Sequence, residues 1–160
     1  MQLAQTIVAA LLAACSVTAA AAPAPRASTV KSMAAADKPL TIESVRRVCN
    51  KPDTECKWTF KINTDVDCQE ACKTRTPVYF VVRASGGKPA TQSNGAAQTF
   101  GNYTITSGWS GQFGPGKGFT TFAVVDNKRR LIAYPAYTDE EVDEAKLVKP
   151  DRAFPLQQLP

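Results

Sequence analysis

Histidine is absent from the 160-residue chain. That absence excludes Ser-His-Asp and Cys-His nucleophilic catalysis, imidazole acid–base chemistry and every histidine-ligated metal site. Long apolar runs are missing too. The longest, Thr6 to Val17 (TIVAALLAACSV), is too short to cross a bilayer as a helix, which takes about 20 residues. Neither GxGxxG nor GxxxxGK[ST] occurs, so the common phosphate-cradling loops are not encoded. The five cysteines form no CxxC pair of the kind zinc prefers. Paired carboxylates are the one catalytic scheme left open. Its candidates are Asp53, Asp65, Asp67, Glu70 and Asp126, but most stand beside basic residues or turns and no two are singled out. The expectation is therefore no enzyme, no cofactor and no metal.

Charge of either sign is modest. The net charge is +5, with thirteen Lys/Arg against seven Asp/Glu from Thr41 to Pro135 and three against six from Ala136 onward. The basic residues are scattered, as solubilising charge is, and no nucleic-acid partner is expected. The short apolar run is followed by the small residues Ala19 to Ala22, the arrangement of a secretory signal peptide over residues 1–21. Leu12-Ala13-Ala14-Cys15 also fits a bacterial lipoprotein box. The missing basic residues in MQLAQ and the later small-residue site weigh against that alternative. Residues 22–40 are poor in large apolar side chains and read as a disordered lead-in or a propeptide. Arg46-Arg47 fits either a processing site or two residues of a strand.

Residues 41–160 read as one disulfide-stabilised β domain. Lys57 to Asn63 alternates strictly, with Trp58, Phe60 and Ile62 on one face. Pro77 to Arg83, Asn102 to Ser107, Phe119 to Val125 and Arg130 to Ala133 add strands, and Asp126-Asn127-Lys128 marks a hairpin turn. In Ile42 to Val48 the expected alternation sets Ile42, Ser44 and Arg46 against Glu43, Val45 and Arg47. A capping box of Thr138 and Glu141 predicts one short helix running to about Lys146. The fold expected is a mainly antiparallel β-sandwich or barrel with one short C-terminal helix.

Four cysteines follow the leader: Cys49, Cys56, Cys68 and Cys72. An even number in an exported domain indicates two disulfides, with three connectivities open. Pairing of near neighbours, Cys49 with Cys56 and Cys68 with Cys72, closes short turn-bearing segments. Five glycines between Gly108 and Gly118, interleaved with Trp109 and Phe113, read as a wide loop carrying aromatic side chains. Trp109, Gln112, Phe113 and Lys117 are the candidate binding residues. Trp109 is either a contact residue or a core residue beneath a glycine turn. Asn102-Tyr103-Thr104 is an N-glycosylation sequon.

Several segments together carry a likeness: Val48-Cys49-Asn50, Asp53 to Phe60, Thr106 to Gly114, Gly118 to Thr121, Val124-Val125-Asp126 and Pro135 to Asp139. From Ser44 to Pro160 the chain resembles small secreted cysteine-containing proteins of filamentous fungi, of the effector-candidate type. Those proteins place a cysteine before the glycine that is Gly101 here, whereas this chain has Phe100 there and an additional Cys68. The resemblance implies a secreted, extracellular, fungal protein rather than a mechanism. The function expected is a non-enzymatic, monomeric effector that binds a host or extracellular protein. The alternative is a cell-wall polysaccharide binder with Trp109, Phe113 and Tyr103 as a stacking platform.

Overall fold

A computed structural model describes residues 38–64 and 75–159. The leader, most of the lead-in, Cys68, Cys72 and the candidate carboxylates Asp65, Asp67 and Glu70 lie outside the described residues. In chain order the elements are β1 (Leu40–Cys49), β2 (Glu55–Asn63), β3 (Arg75–Arg83), β4 (Gly95–Phe100), β5 (Tyr103–Ser110), β6 (Phe119–Asp126), β7 (Leu131–Ala133), β8 (Ala136–Thr138), α1 (Asp139–Val142), β9 (Arg152–Phe154) and β10 (Gln157–Gln158). Two antiparallel sheets result, ordered β3-β2-β1-β9 and β10-β7-β6-β5-β4, with β8 also paired to β6. This is the small β-sandwich with a short helix near its C-terminus that the patterning predicts.

The alternation in β2 puts Trp58, Phe60 and Ile62 into the core, where Val78, Phe80 and Val82 of β3 join them. Phe122 of the opposing sheet receives the edges of three rings, with centroids 5.0 Å away for Trp58, 5.6 Å for Phe60 and 5.6 Å for Phe80. Such edge-to-face packing sets the positive rim of one ring against the negative face of another. The sheets therefore close over an aromatic centre.

At one seam Gln98 of β4 uses its side-chain amide as a strand would. It donates to the Val81 carbonyl at 2.7 Å and accepts from the Val81 N–H at 3.0 Å. At the other seam the C-terminal stretch pairs with β1 as β9 and with β7 as β10, lacing both sheets around the buried Leu156.

Three expectations are corrected. In β1 two residues, Ser44 and Val45, stand where the partner strand supplies one, a bulge in which Ser44 takes φ 57°. The face therefore switches, and Ile42, Val45 and Arg47 point inward in place of Ile42, Ser44 and Arg46. Bulges re-aim side chains in this way. The Ser44 N–H is held by Asp151 Oδ1 at 2.9 Å. The dibasic pair lies mid-strand, so the strand reading is the one observed. The helix ends at Val142, because a separate 3-10 turn follows with Glu144 at φ 51°. The third correction concerns β5, which continues past Ser107 to Ser110, so Trp109 is a strand residue. Its ladder with β6 runs unbroken to Ser110 opposite Phe119.

Candidate functional site

Residues 111–118 connect β5 to β6 as a loop of consecutive turns, with Gly114 N–H donating to the Gly111 carbonyl at 3.0 Å and Lys117 N–H to the Gly114 carbonyl at 3.1 Å. Trp109, at the base of this loop, is half-buried and bonded into the fold. Its indole N–H donates to Asp139 Oδ2 at 2.8 Å. Its ring occupies the space beside Gly111 and Gly118, where an added Cβ would lie 2.5 Å and 2.8 Å from ring atoms. Only glycine permits that approach. Asp139 Oδ1 also accepts from Arg47 at 2.6 Å, and the Asp139 N–H donates to the Gly118 carbonyl at 2.9 Å. Arg47 is 7% exposed, with its guanidinium over the Trp58 ring at 5.4 Å. One carboxylate thus ties β1, the glycine loop and the start of α1 together.

Of the candidate residues, Phe113, Gln112 and Lys117 do reach solvent. Phe113 is 69% exposed and stacks on Phe119, with centroids 5.7 Å apart and planes 29° from parallel. Both rings line an open cleft of about 570 Å³. Ala136, Tyr137 and Thr138 of β8 form its floor, and Lys117, Glu140, Glu141 and Arg152 bring charge of both signs to its walls. Tyr103, the third member of the expected platform, is instead 7% exposed and packs in the core at the other end of β5. The platform is corrected accordingly, and Phe113 is its remaining exposed member.

The cleft wall is preorganised. Glu141 completes the capping box by accepting from the Thr138 N–H at 2.9 Å and donating its own N–H to Thr138 Oγ1 at 3.3 Å. Arg152 donates to the other Glu141 oxygen. The Arg152 guanidinium, with help from Thr138, holds the Glu141 carboxyl below the usual carboxylate range against the opposing effect of its burial. Arg152 also lies 5.4 Å above the Tyr137 ring. Burial pushes the Tyr137 phenol well above its ordinary value, and its hydroxyl has no hydrogen-bond partner among the described residues.

Tyr137, Glu141, Arg152 and Phe119 line the candidate cleft, and sequence reasoning did not single them out for it. No local pattern announces that β8, β9 and the glycine loop converge. Of the proposed carboxylates, Asp53 accepts from the N–H and hydroxyl of Thr91, and Asp126 accepts from the N–H groups of Lys128 and Arg129 in the β6–β7 turn. Both have structural partners. Cys49 and Cys56 form a disulfide across the last pair of the β1–β2 ladder. With Asp53 they are also the one cluster of metal-type ligand atoms among the described residues, and the disulfide engages both sulfurs.

No helix among the described residues is long and apolar enough to cross a membrane. A family model described as Effector TSP1 matches residues 41–159. A protein named Effector TSP1 from Hypocrea virens (strain Gv29-8 / FGSC 10586) is 46% identical over 160 residues, covering 100% of both chains. The chain belongs to the Effector TSP1 family, and the likeness to fungal effector-type proteins is borne out.

Proposed function

We propose that this member of the Effector TSP1 family is a secreted, non-enzymatic effector whose aromatic cleft receives a partner protein outside the producing cell. The observation that carries this reading is Phe113. A large apolar side chain, held 69% exposed on a braced loop, costs solubility and offers the fold little, so its return lies in contact with another molecule. Flanking Lys117 and Glu140 supply charges of opposite sign at the rim, which orient a partner more than they add affinity. The fitting ligand chemistry is an apolar or aromatic side chain bordered by charged residues.

Phe113→Ala tests this directly. The ring contributes to Phe119 stacking at the surface only, so thermal stability should stay within about 0.5 kcal/mol of the parent. Binding to a partner captured from host extracellular fluid, or the host response to infiltrated protein, should fall at least tenfold. An undiminished response in a folded Phe113→Ala variant removes the cleft from the proposal. The polysaccharide alternative keeps Phe113 but loses Tyr103 as a stacking group. Retention on chitin or glucan beads that Phe113→Ala abolishes would favour it over a protein partner.

A further inference from the structure

We infer that Asn102 is an N-glycan attachment site, set at the end of the sandwich opposite the aromatic cleft. The sequon Asn102-Tyr103-Thr104 lies at a tight turn between β4 and β5, where Phe100 pairs with Tyr103 and Gly101 takes φ 57°. Asn102 in the turn is exposed and Thr104, the second residue of β5, is half-buried, while Tyr103 between them is buried, its hydroxyl 3.5 Å from Thr64 Oγ1. The turn is pinned by its backbone: the Asn102 carbonyl accepts from the Asn127 N–H at 3.0 Å.

The Asn102 side chain itself is exposed and makes no hydrogen bond among the described residues. A sugar on its Nδ2 replaces no native contact. Thr104 Oγ1 accepts from Asn127 Nδ2 at 2.9 Å, so the folded protein gives the sequon hydroxyl a second, structural role after modification. The transfer would use a lipid-pyrophosphate-linked oligosaccharide: an N–C bond forms between Nδ2 and the anomeric carbon, the C–O bond to pyrophosphate breaks, and the amide proton leaves with the pyrophosphate.

Placement gives the modification a spatial consequence. The eight residues of β5 separate Asn102 from the glycine loop, roughly 25 Å at the rise of an antiparallel strand. A glycan there leaves the cleft open and covers the opposite rim, where the exposed Thr99, Asn127 and Lys128 lie close by.

The test is production of the full chain in a filamentous fungus behind the host's own secretory leader, so that entry into the secretory pathway is assured. Peptide-N-glycosidase treatment in heavy-oxygen water should lower the intact mass by one glycan and leave labelled aspartate at position 102. Asn102→Gln and Thr104→Ala should abolish the shift, and Thr104→Ser should retain it. A chain from the medium whose Asn102 peptide is wholly unmodified overturns the inference, whatever the variants do. Because the readout is a mass, its failure is separate from any failure of the cleft to bind.

Discussion

Replacing Asp139 with alanine removes the acceptor shared by a buried guanidinium and an indole. Arg47 is 7% exposed and has its cation–π contact with Trp58 as the other support for its charge. Deleting one partner of a buried ion pair costs about 3–5 kcal/mol, because the remaining charge is left desolvated. Asp139 is 27% exposed, so water reaches the vacated site, and the lower end, about 3 kcal/mol, applies. Loss of the acceptor for the Trp109 N–H adds about 1 kcal/mol. The sum, about 4 kcal/mol, is a large share of the ~5–15 kcal/mol that holds a domain of this size together. At about 4 °C per kcal/mol, Tm should drop by roughly 15 °C. Differential scanning calorimetry on Asp139→Ala, Arg47→Met and the double variant forms the assay. The double variant should recover much of the loss, since it leaves no uncompensated cation. A drop of less than about 4 °C for Asp139→Ala, with no recovery in the double variant, refutes the idea that this carboxylate is the tie between strand, loop and helix.

Other consequences are open to measurement. Trp109→Ala should destabilise by about 3 kcal/mol, through the void left between Gly111 and Gly118; urea titration showing parent-like stability would return Trp109 to the role of a surface contact. Replacing Cys49 and Cys56 together by serine should cost about 2.5 kcal/mol, the chain-entropy value for a short loop, read as the difference in denaturation midpoint between parent and variant. Glu43 and Glu141 both have carboxyls held below the ordinary value, by Arg75 and Arg152 respectively. Their contribution is complete above the unfolded carboxylate value of about 4.3 and drains away as pH falls through the lower folded value. Glu141→Gln should therefore flatten the fall in Tm between about pH 5 and pH 3, and an unaltered pH profile would count against the Arg152 contact.

Strands whose burial follows strict alternation were legible from residue spacing: Trp58, Phe60 and Ile62 face inward as that spacing requires. The capping box was legible for the same reason, since both its partners lie within one turn. What escaped depends on distant partners. The β1 bulge exists because a residue 107 positions away, Asp151, holds the Ser44 N–H. The helix stops early because Glu144 turns to positive φ, which no periodicity marks. The sequence left Trp109 open between a contact and a core residue because its acceptor, Asp139, stands 30 positions further on. The cleft was hidden likewise: its rings come from the glycine loop and the first residue of β6, its floor from β8, and antiparallel pairing of β8 with β6 brings them side by side. Of the cleft's lining, Phe113 and Lys117 declared themselves, as an aromatic and a cation among glycines.

The Gln98 amide on Val81 also shortens the strand edge through which copies of this molecule could pair. β3 is an outer strand, and the free rim of such a strand invites a second chain to pair with it and begin an aggregate. Here that rim is closed midway by Gln98, interrupted by Pro77, which lacks a donor, and bounded by Arg75 and Arg83. For the extracellular role proposed above, beyond the reach of intracellular chaperones, a single glutamine standing in for a missing strand favours colloidal persistence.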